Sequence, residues 1–240
     1  ALEPWVKQLP LIGFEALVRW KHATRGLIYP LEFISLAEET GLIFPLSDWI
    51  LRESCMQIRA WQKKYPGKPE LRMSVNISSK LLLQPGFADS IQKNLLEQGL
   101  EPGSLAIEIT ESVIMDHPDR AVETMMKLQK MGVHIHIDDF GTGYSSLSYL
   151  HNFPVNALKI DRSFIAKMSA NSDNQEIIKT IIALAQNLKL EVIAEGLELN
   201  HQLSSIKNLE CGFGQGFLFS KPLSAESIEN WILSGKSFPV

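Results

Sequence analysis

Six short apolar runs in this chain end on a carboxylate, a carboxamide or a lysine. Leu11–Phe14 is followed by Glu15, Leu71–Val75 by Asn76, and Leu105–Ile107 by Glu108. Val133–Ile137 is followed by Asp138 and Asp139, Ala157–Leu158 by Lys159, and Val192–Ala194 by Glu195. Gln215 adds an amide inside the glycine-rich stretch CGFGQGF. All of these groups except Lys159 offer oxygen donors, the ligand class of a hard cation such as Mg²⁺ or Mn²⁺. A lysine ending a buried run needs anionic partners, and a ring of carboxylates provides them. Such a lysine could orient an attacking water or stabilise charge developing on a phosphate.

Asp138 and Asp139 carry the strongest signal. Adjacent strand residues point to opposite faces, so both can serve one site only where the strand gives way to a loop. The following FGTGYSSL supplies two glycines for that turn and serines able to cap a helix. Two aspartates held together repel unless a cation lies between them. An aspartate bridging two divalent ions about 3.5–4 Å apart is a recurrent way to split phosphate esters. A solvated acidic turn is the bland alternative. Asn76 offers a neutral amide oxygen. Glu108 and Glu111 lie three apart at one strand end, so Glu108 could ligate while Glu111 holds a loop through backbone N–H bonds. Glu195 and Glu198 flank a glycine, and Gln215 lies between Gly214 and Gly216, where backbone can approach a ligand closely. His134 and His136 share a strand face with Asp138. They fit a zinc site or, more simply, a polar layer beneath the carboxylates.

These groups need a scaffold that brings many strand ends to one rim. Strand-like runs alternate with helical patterns over Pro45–Lys64, Gly86–Gln98, Pro118–Lys130, Asn174–Leu188 and Ala225–Leu233. Pro118 fits a first helical position, Ser224 an N-cap, and Gly99 and Gly132 helix ends. The alternation implies an α/β fold with a parallel sheet, and polar groups at successive strand ends imply a (β/α)8 barrel. The 240 residues match the roughly 250 of one such barrel, so a single domain over 1–240 is expected. The net charge of −4 argues against a nucleic-acid polymer as partner. Cys55 and Cys211 read as buried reduced thiols, and no apolar run is long enough to span a bilayer. The start, ALEPWVKQLP, has no secretory signal and no methionine, so a domain cut from a longer protein is expected. No dinucleotide-binding or P-loop glycine fingerprint is present.

The segments EALVRW, NISS, EITES, DDFGTGYSSLSYL, LKIDRSF, AEGLE and GQGFLFSKPL occur here in the order and spacing of the EAL domain family. The resemblance runs from about Pro4 to Leu233. It implies a modified (β/α)8 TIM-like barrel whose first strand runs antiparallel to the rest. It also implies metal-dependent hydrolysis of the bacterial second messenger cyclic di-GMP to linear 5′-pGpG. Mg²⁺ or Mn²⁺ would serve in a two-metal site, and Ca²⁺ would inhibit. Glu15, Asn76, Glu108 and Asp138 would hold the first metal, and Asp138, Asp139 and Glu195 the second. Lys159 would position the attacking water, Glu195 would act as general base, and Glu15 would be required for turnover. Glu111 would brace the loop after Asp139. Leu17 and Arg19 would contact substrate, and Glu198, Gln215 and Phe217 would line the pocket.

The resemblance further implies a homodimer and an upstream sensory or diguanylate cyclase domain in a multidomain signalling protein. The expected location is cytoplasmic, with no membrane contact by this domain even where the parent protein is membrane-anchored. Two features depart from the family pattern. Glu3 stands where a glutamine is common, and the link to the next strand is short, so a shifted or incomplete first hairpin is expected. His136 stands where a small or apolar residue is usual, with only a modest effect expected on metal preference. The alternative function is a non-catalytic cyclic di-GMP receptor, but receptors of this fold typically lose metal ligands or the loop after the paired aspartates, and this chain keeps both.

Overall fold

The computed structural model describes residues 1–6, 11–65, 71–111, 117–143, 150–168 and 172–233. Two strands open the chain, β1 (Leu2–Val6) and β2 (Leu11–Ala16), followed by a small hairpin of β3 (Trp20–His22) and β4 (Gly26–Ile28). Then come α1 (Pro30–Thr40), α2 (Ile43–Lys64), β5 (Arg72–Asn76), α3 (Ser79–Leu82), α4 (Phe87–Gln98) and β6 (Leu105–Thr110). The alternation continues with α5 (Pro118–Met131), β7 (His134–Phe140), β8 (Ala157–Ile160), α6 (Arg162–Ala166) and α7 (Ser172–Asn187). It ends with β9 (Glu191–Ala194), α8 (Asn200–Asn208), β10 (Phe213–Gln215) and α9 (Ala225–Leu233).

Eight strands close into a barrel in the order β1, β10, β9, β8, β7, β6, β5, β2. Only β1 runs antiparallel to its barrel neighbours, β2 and β10; the other adjacent pairs are parallel. The first hairpin is more complete than its short link implied. β1 pairs with β2 from Leu2↔Ala16 to Val6↔Leu11, with one register shift at Trp5/Val6. The link itself, residues 7–10, lies outside the described residues, as do the serines after the paired aspartates.

The apolar periodicity of α2 buries Leu51, Cys55, Ile58 and Trp61 against the barrel wall. There Trp61 meets the Phe14 ring of β2 at 4.9 Å. Each such fully buried side chain contributes roughly 2 kcal/mol of transfer free energy. The Trp61 indole N–H donates to Glu229 of α9 at 3.1 Å, tying the last helix to the second. Left-handed glycines close α4 at Gly99 and α5 at Gly132, since a Cβ strains that conformation. Ser224 caps α9 by accepting the Ser227 N–H. Cys55 and Cys211 are both buried free thiols. Among the described residues, no helix is long and apolar enough to cross a membrane.

The barrel interior is polar at both ends. Arg72 of β5 pairs with Glu191 of β9 at 3.5 Å, although β6, β7 and β8 lie between those strands. That contact therefore crosses the mouth where the parallel strands begin. The strands end at the opposite mouth, the rim.

Candidate active site

At the rim, five strands direct charged side chains to one point. Lys159 of β8 is 1% exposed, and its Nζ lies 2.6 Å from Glu195, 2.8 Å from Glu108, 3.4 Å from Asp138 and 3.5 Å from Glu15. Those partners stand at or just beyond the ends of β9, β6, β7 and β2. Period-two alternation brings their side chains inward, because a polar residue on the outer face would meet the helices instead. The Glu15 carboxylate also accepts hydrogen bonds from Asn76 Nδ2 at 2.6 Å and Gln215 Nε2 at 2.5 Å. Beneath them, fully buried His136 places Nδ1 3.7 Å from Glu108, and its ring lies edge-on to His134 with centroids 6.5 Å apart. The histidines thus form a polar layer below the carboxylates.

One ammonium cannot neutralise four carboxylates. Burial pushes Glu15 up to about 7, against the pull of Lys159. Burial also raises Glu195 well above the usual carboxylate range, and repulsion from Asp138, Glu15 and Glu108 adds to it. Asp138 shifts upward for the same reasons, burial first. Glu108 alone goes down, to about 2: burial opposes this, but Lys159 and then His136 outweigh it. Lys159 stays protonated well above its ordinary value despite burial, because anions surround it.

The paired aspartates sit at a break in strand pairing. The β7–β8 register shifts between Ile137 and Phe140, and Asp139 adopts a left-handed φ of 53°. That kink turns Asp139 toward Asp138 rather than to the outer face. Asp138 accepts the Asp139 backbone N–H at 3.0 Å. Burial, then repulsion from Asp138 and Asp161, lifts Asp139 to about 6. Glu111 accepts the Gly141 N–H at 3.2 Å, and a Cβ on Gly143 would lie 3.1 Å from the Glu111 carboxylate. Glu111 thus packs under the turn rather than in the cleft. Asp161 escaped the sequence reading, although it stands two residues after Lys159, where strand alternation returns to the same face.

A cavity of about 300 Å³ opens onto these groups, and Glu3, Leu17, Arg19, Glu198 and Phe217 are among the side chains that line it. Glu3 belongs to this wall, and burial raises its pKa. Arg19 donates to the Val18 carbonyl at 2.7 Å and lies over the Tyr29 ring at 5.0 Å. Phe217 is 51% exposed, with the Lys221 ammonium over its ring at 6.0 Å from the centroid.

Oxygen atoms of Asp138, Asp139 and Glu195 all lie within 4.8 Å of one another, close enough to share a cation. The donor set of carboxylates plus the Asn76 amide suits a hard divalent ion. The surplus negative charge gives such an ion an electrostatic reason to bind.

Comparison with known proteins agrees with this fold. The EAL domain family matches residues 3–222. The bifunctional diguanylate cyclase/cyclic di-GMP phosphodiesterase MucR of Pseudomonas aeruginosa is 43% identical over 91% of this chain and 32% of its own length. The cyclic di-GMP phosphodiesterase PdeR of Escherichia coli is 39% identical over 91% of this chain and 33% of its own. The chain thus spans about a third of the length of these relatives. A solved structure of the PaMucR phosphodiesterase in complex with c-di-GMP superposes with a TM-score of 0.91 at 42% identity, covering 95% of this chain and 92% of that one. With the barrel, its reversed first strand and the full motif set in agreement, the chain belongs to the EAL domain family.

Proposed function

We propose that this domain hydrolyses cyclic di-GMP to linear 5′-pGpG with the help of Mg²⁺ or Mn²⁺ in a two-metal site. The observation that carries this reading is the convergence of four carboxylates on buried Lys159 at the barrel rim. Glu15, Asn76, Glu108 and Asp138 would hold one ion, and Asp138, Asp139 and Glu195 the other. Bound there, the ions would lower the pKa of the attacking water and neutralise charge on the scissile phosphate.

The chain's own groups do the rest. Water attacks phosphorus in line, the P–O3′ bond breaks, and the products carry a 5′-phosphate and a 3′-hydroxyl. Glu195 takes the proton of the attacking water, and solvent water protonates the departing 3′ oxygen. Lys159 orients the water and holds its neighbouring carboxylates in place. Glu111 keeps the turn after Asp139 in register through Gly141. Leu17, Glu198, Gln215 and Phe217 shape the nucleotide cleft, and the forked guanidinium of Arg19 suits a phosphate.

The domain, residues 1–240, would act as one unit within a longer signalling protein, as a homodimer on the cytoplasmic side, with a sensory or cyclase domain upstream. The test is chromatography of cyclic di-GMP after incubation with Mg²⁺, Mn²⁺, Ca²⁺ or chelator. Metal-dependent 5′-pGpG, suppressed by Ca²⁺, is expected. Saturable binding without product under every condition would overturn it in favour of a receptor.

A further inference from the structure

Arg162 is a cation in this cleft that the reaction scheme leaves unused. Among the described residues, five carboxylates (Glu3, Glu15, Asp138, Glu195 and Glu198) and two cations (Arg19 and Arg162) line the cavity, and Lys221 at its edge sits over the Phe217 ring. Lys159 is already surrounded by carboxylates. Arg19 is held by the Val18 carbonyl and the Tyr29 ring. Among the described residues the Arg162 guanidinium makes no ion pair, although it is exposed beside an acidic wall.

The position of Arg162 is built. It opens α6, directly after Asp161, whose carboxylate caps that helix by accepting the Ser163 N–H at 3.0 Å. Its stem packs on the turn after β9. A Cβ on Gly196, itself at a left-handed φ of 69°, would lie 2.5 Å from Arg162 Cβ. Glycine at 196 therefore lets the Arg162 stem lie against the residue next to Glu195. Arg19 follows β2 and Arg162 follows β8, and β1, β10 and β9 separate those strands. The two cations thus stand on different walls of one cleft.

A cyclic dinucleotide carries two phosphodiester anions. On the phosphodiesterase reading, cations held by the rim carboxylates would offset the charge of the one that is cleaved. The other would enter an acidic cleft and needs a cation to offset the repulsion. We infer that Arg162 is a substrate-binding residue that grips the phosphodiester not being cleaved, a cation on the opposite wall from Arg19. This rests on the phosphodiesterase reading. Neutralising that phosphate stabilises the bound ground state and the transition state equally. Its loss therefore belongs in KM rather than kcat.

The experiment uses the parent protein, Arg162→Ala and Arg162→Lys, with thermal melting as a check on folding. Binding of cyclic di-GMP is measured with Ca²⁺ in place of Mg²⁺. Turnover is measured with Mg²⁺ on cyclic di-GMP and on bis(p-nitrophenyl) phosphate, which has a single phosphodiester. Arg162→Ala should raise Kd and KM for cyclic di-GMP about tenfold while kcat changes less than about twofold. The variant should lower the salt dependence of binding, and Arg162→Lys should recover part of the affinity. The single-phosphodiester probe should lose much less than cyclic di-GMP. Equal losses on both substrates, a fall confined to kcat, or unchanged binding would each overturn the assignment while the phosphodiesterase reading stands. A parent protein that neither binds nor cleaves cyclic di-GMP would overturn both.

Discussion

Three strands of this barrel carry polar side chains at both ends, and the two ends are in opposite electrostatic states. At the base, Arg72 of β5 meets Glu191 of β9, one cation to one anion, with side chains 25% and 39% exposed. His134 of β7 stands beside them. At the rim, the same strands lead to Asn76, Asp138 and Glu195, where one ammonium faces four carboxylates that are between 1% and 17% exposed. A partly solvated pair contributes little either way. A buried excess of one sign is costly and gains nothing for the fold. The base closes the barrel; the rim stores unneutralised charge for a cation that the fold itself does not supply.

The sharpest way to break this comparison is to remove a rim carboxylate. Glu15→Ala should reduce turnover at least about 10³-fold, because the charge that develops on the phosphate loses part of its counter-ion site. The fold should hold, since one of several mutually repelling anions is gone. Cyclic di-GMP turnover and circular dichroism measure the two effects, and retained activity would remove Glu15 from the ligand set.

Next is a matched pair of cation deletions, each scored by urea unfolding in chelator. Lys159→Met leaves buried carboxylates without their counter-charge and should cost about 3–5 kcal/mol. Arg72→Met at the base should cost less than about 1 kcal/mol, because water screens the pair it breaks. Equal costs would mean that the two ends do not differ as described.

The rim was legible in the sequence and the base was not, for a physical reason. Glu15, Asn76, Glu108, Asp138, Lys159 and Glu195 each follow an apolar run, so a local pattern marks them. The Arg72–Glu191 contact joins residues 119 positions apart, and nothing local announces it. Helix α1 was missed because it turns apolar residues outward: Leu31 is 95% and Leu36 59% exposed, which blurs its periodicity. The kink at Asp139 could be argued from two aspartates sharing one site. Its left-handed φ could not, because aspartate enters that region only where context holds it there.

A divalent ion should sharpen the contrast by stabilising one end only. At about 100 times its Kd, Mg²⁺ should add about 2.7 kcal/mol, read as a rise in Tm. Asp138→Asn, at the centre of the close oxygen cluster, should abolish most of that gain. Arg72→Met should keep it. A Mg²⁺-dependent rise that survives Asp138→Asn would place the ion elsewhere.

The smallest effect is a difference in the sign of the pH dependence. At the rim, Glu15 moves from 4.5 to about 7 and Asp139 from 3.8 to about 6 on folding. A raised carboxylate pKa means that the ion-free folded state holds the proton more tightly than the unfolded chain. That stabilisation is complete below about pH 4 and is lost as pH rises through about 7. At the base, burial first and then Arg72 lower His134 from 6.5 to about 4. Its contribution runs the other way: it is present above 6.5 and lost as pH falls toward 4. In chelator, Tm should therefore fall between pH 5 and pH 7.5 when the rim dominates. Glu15→Gln should flatten that fall, and His134→Gln should steepen it by removing the opposing slope. The test is a set of melting curves across this range for the three proteins. If both variants shift the slope in the same direction, the two ends are not in opposite electrostatic states.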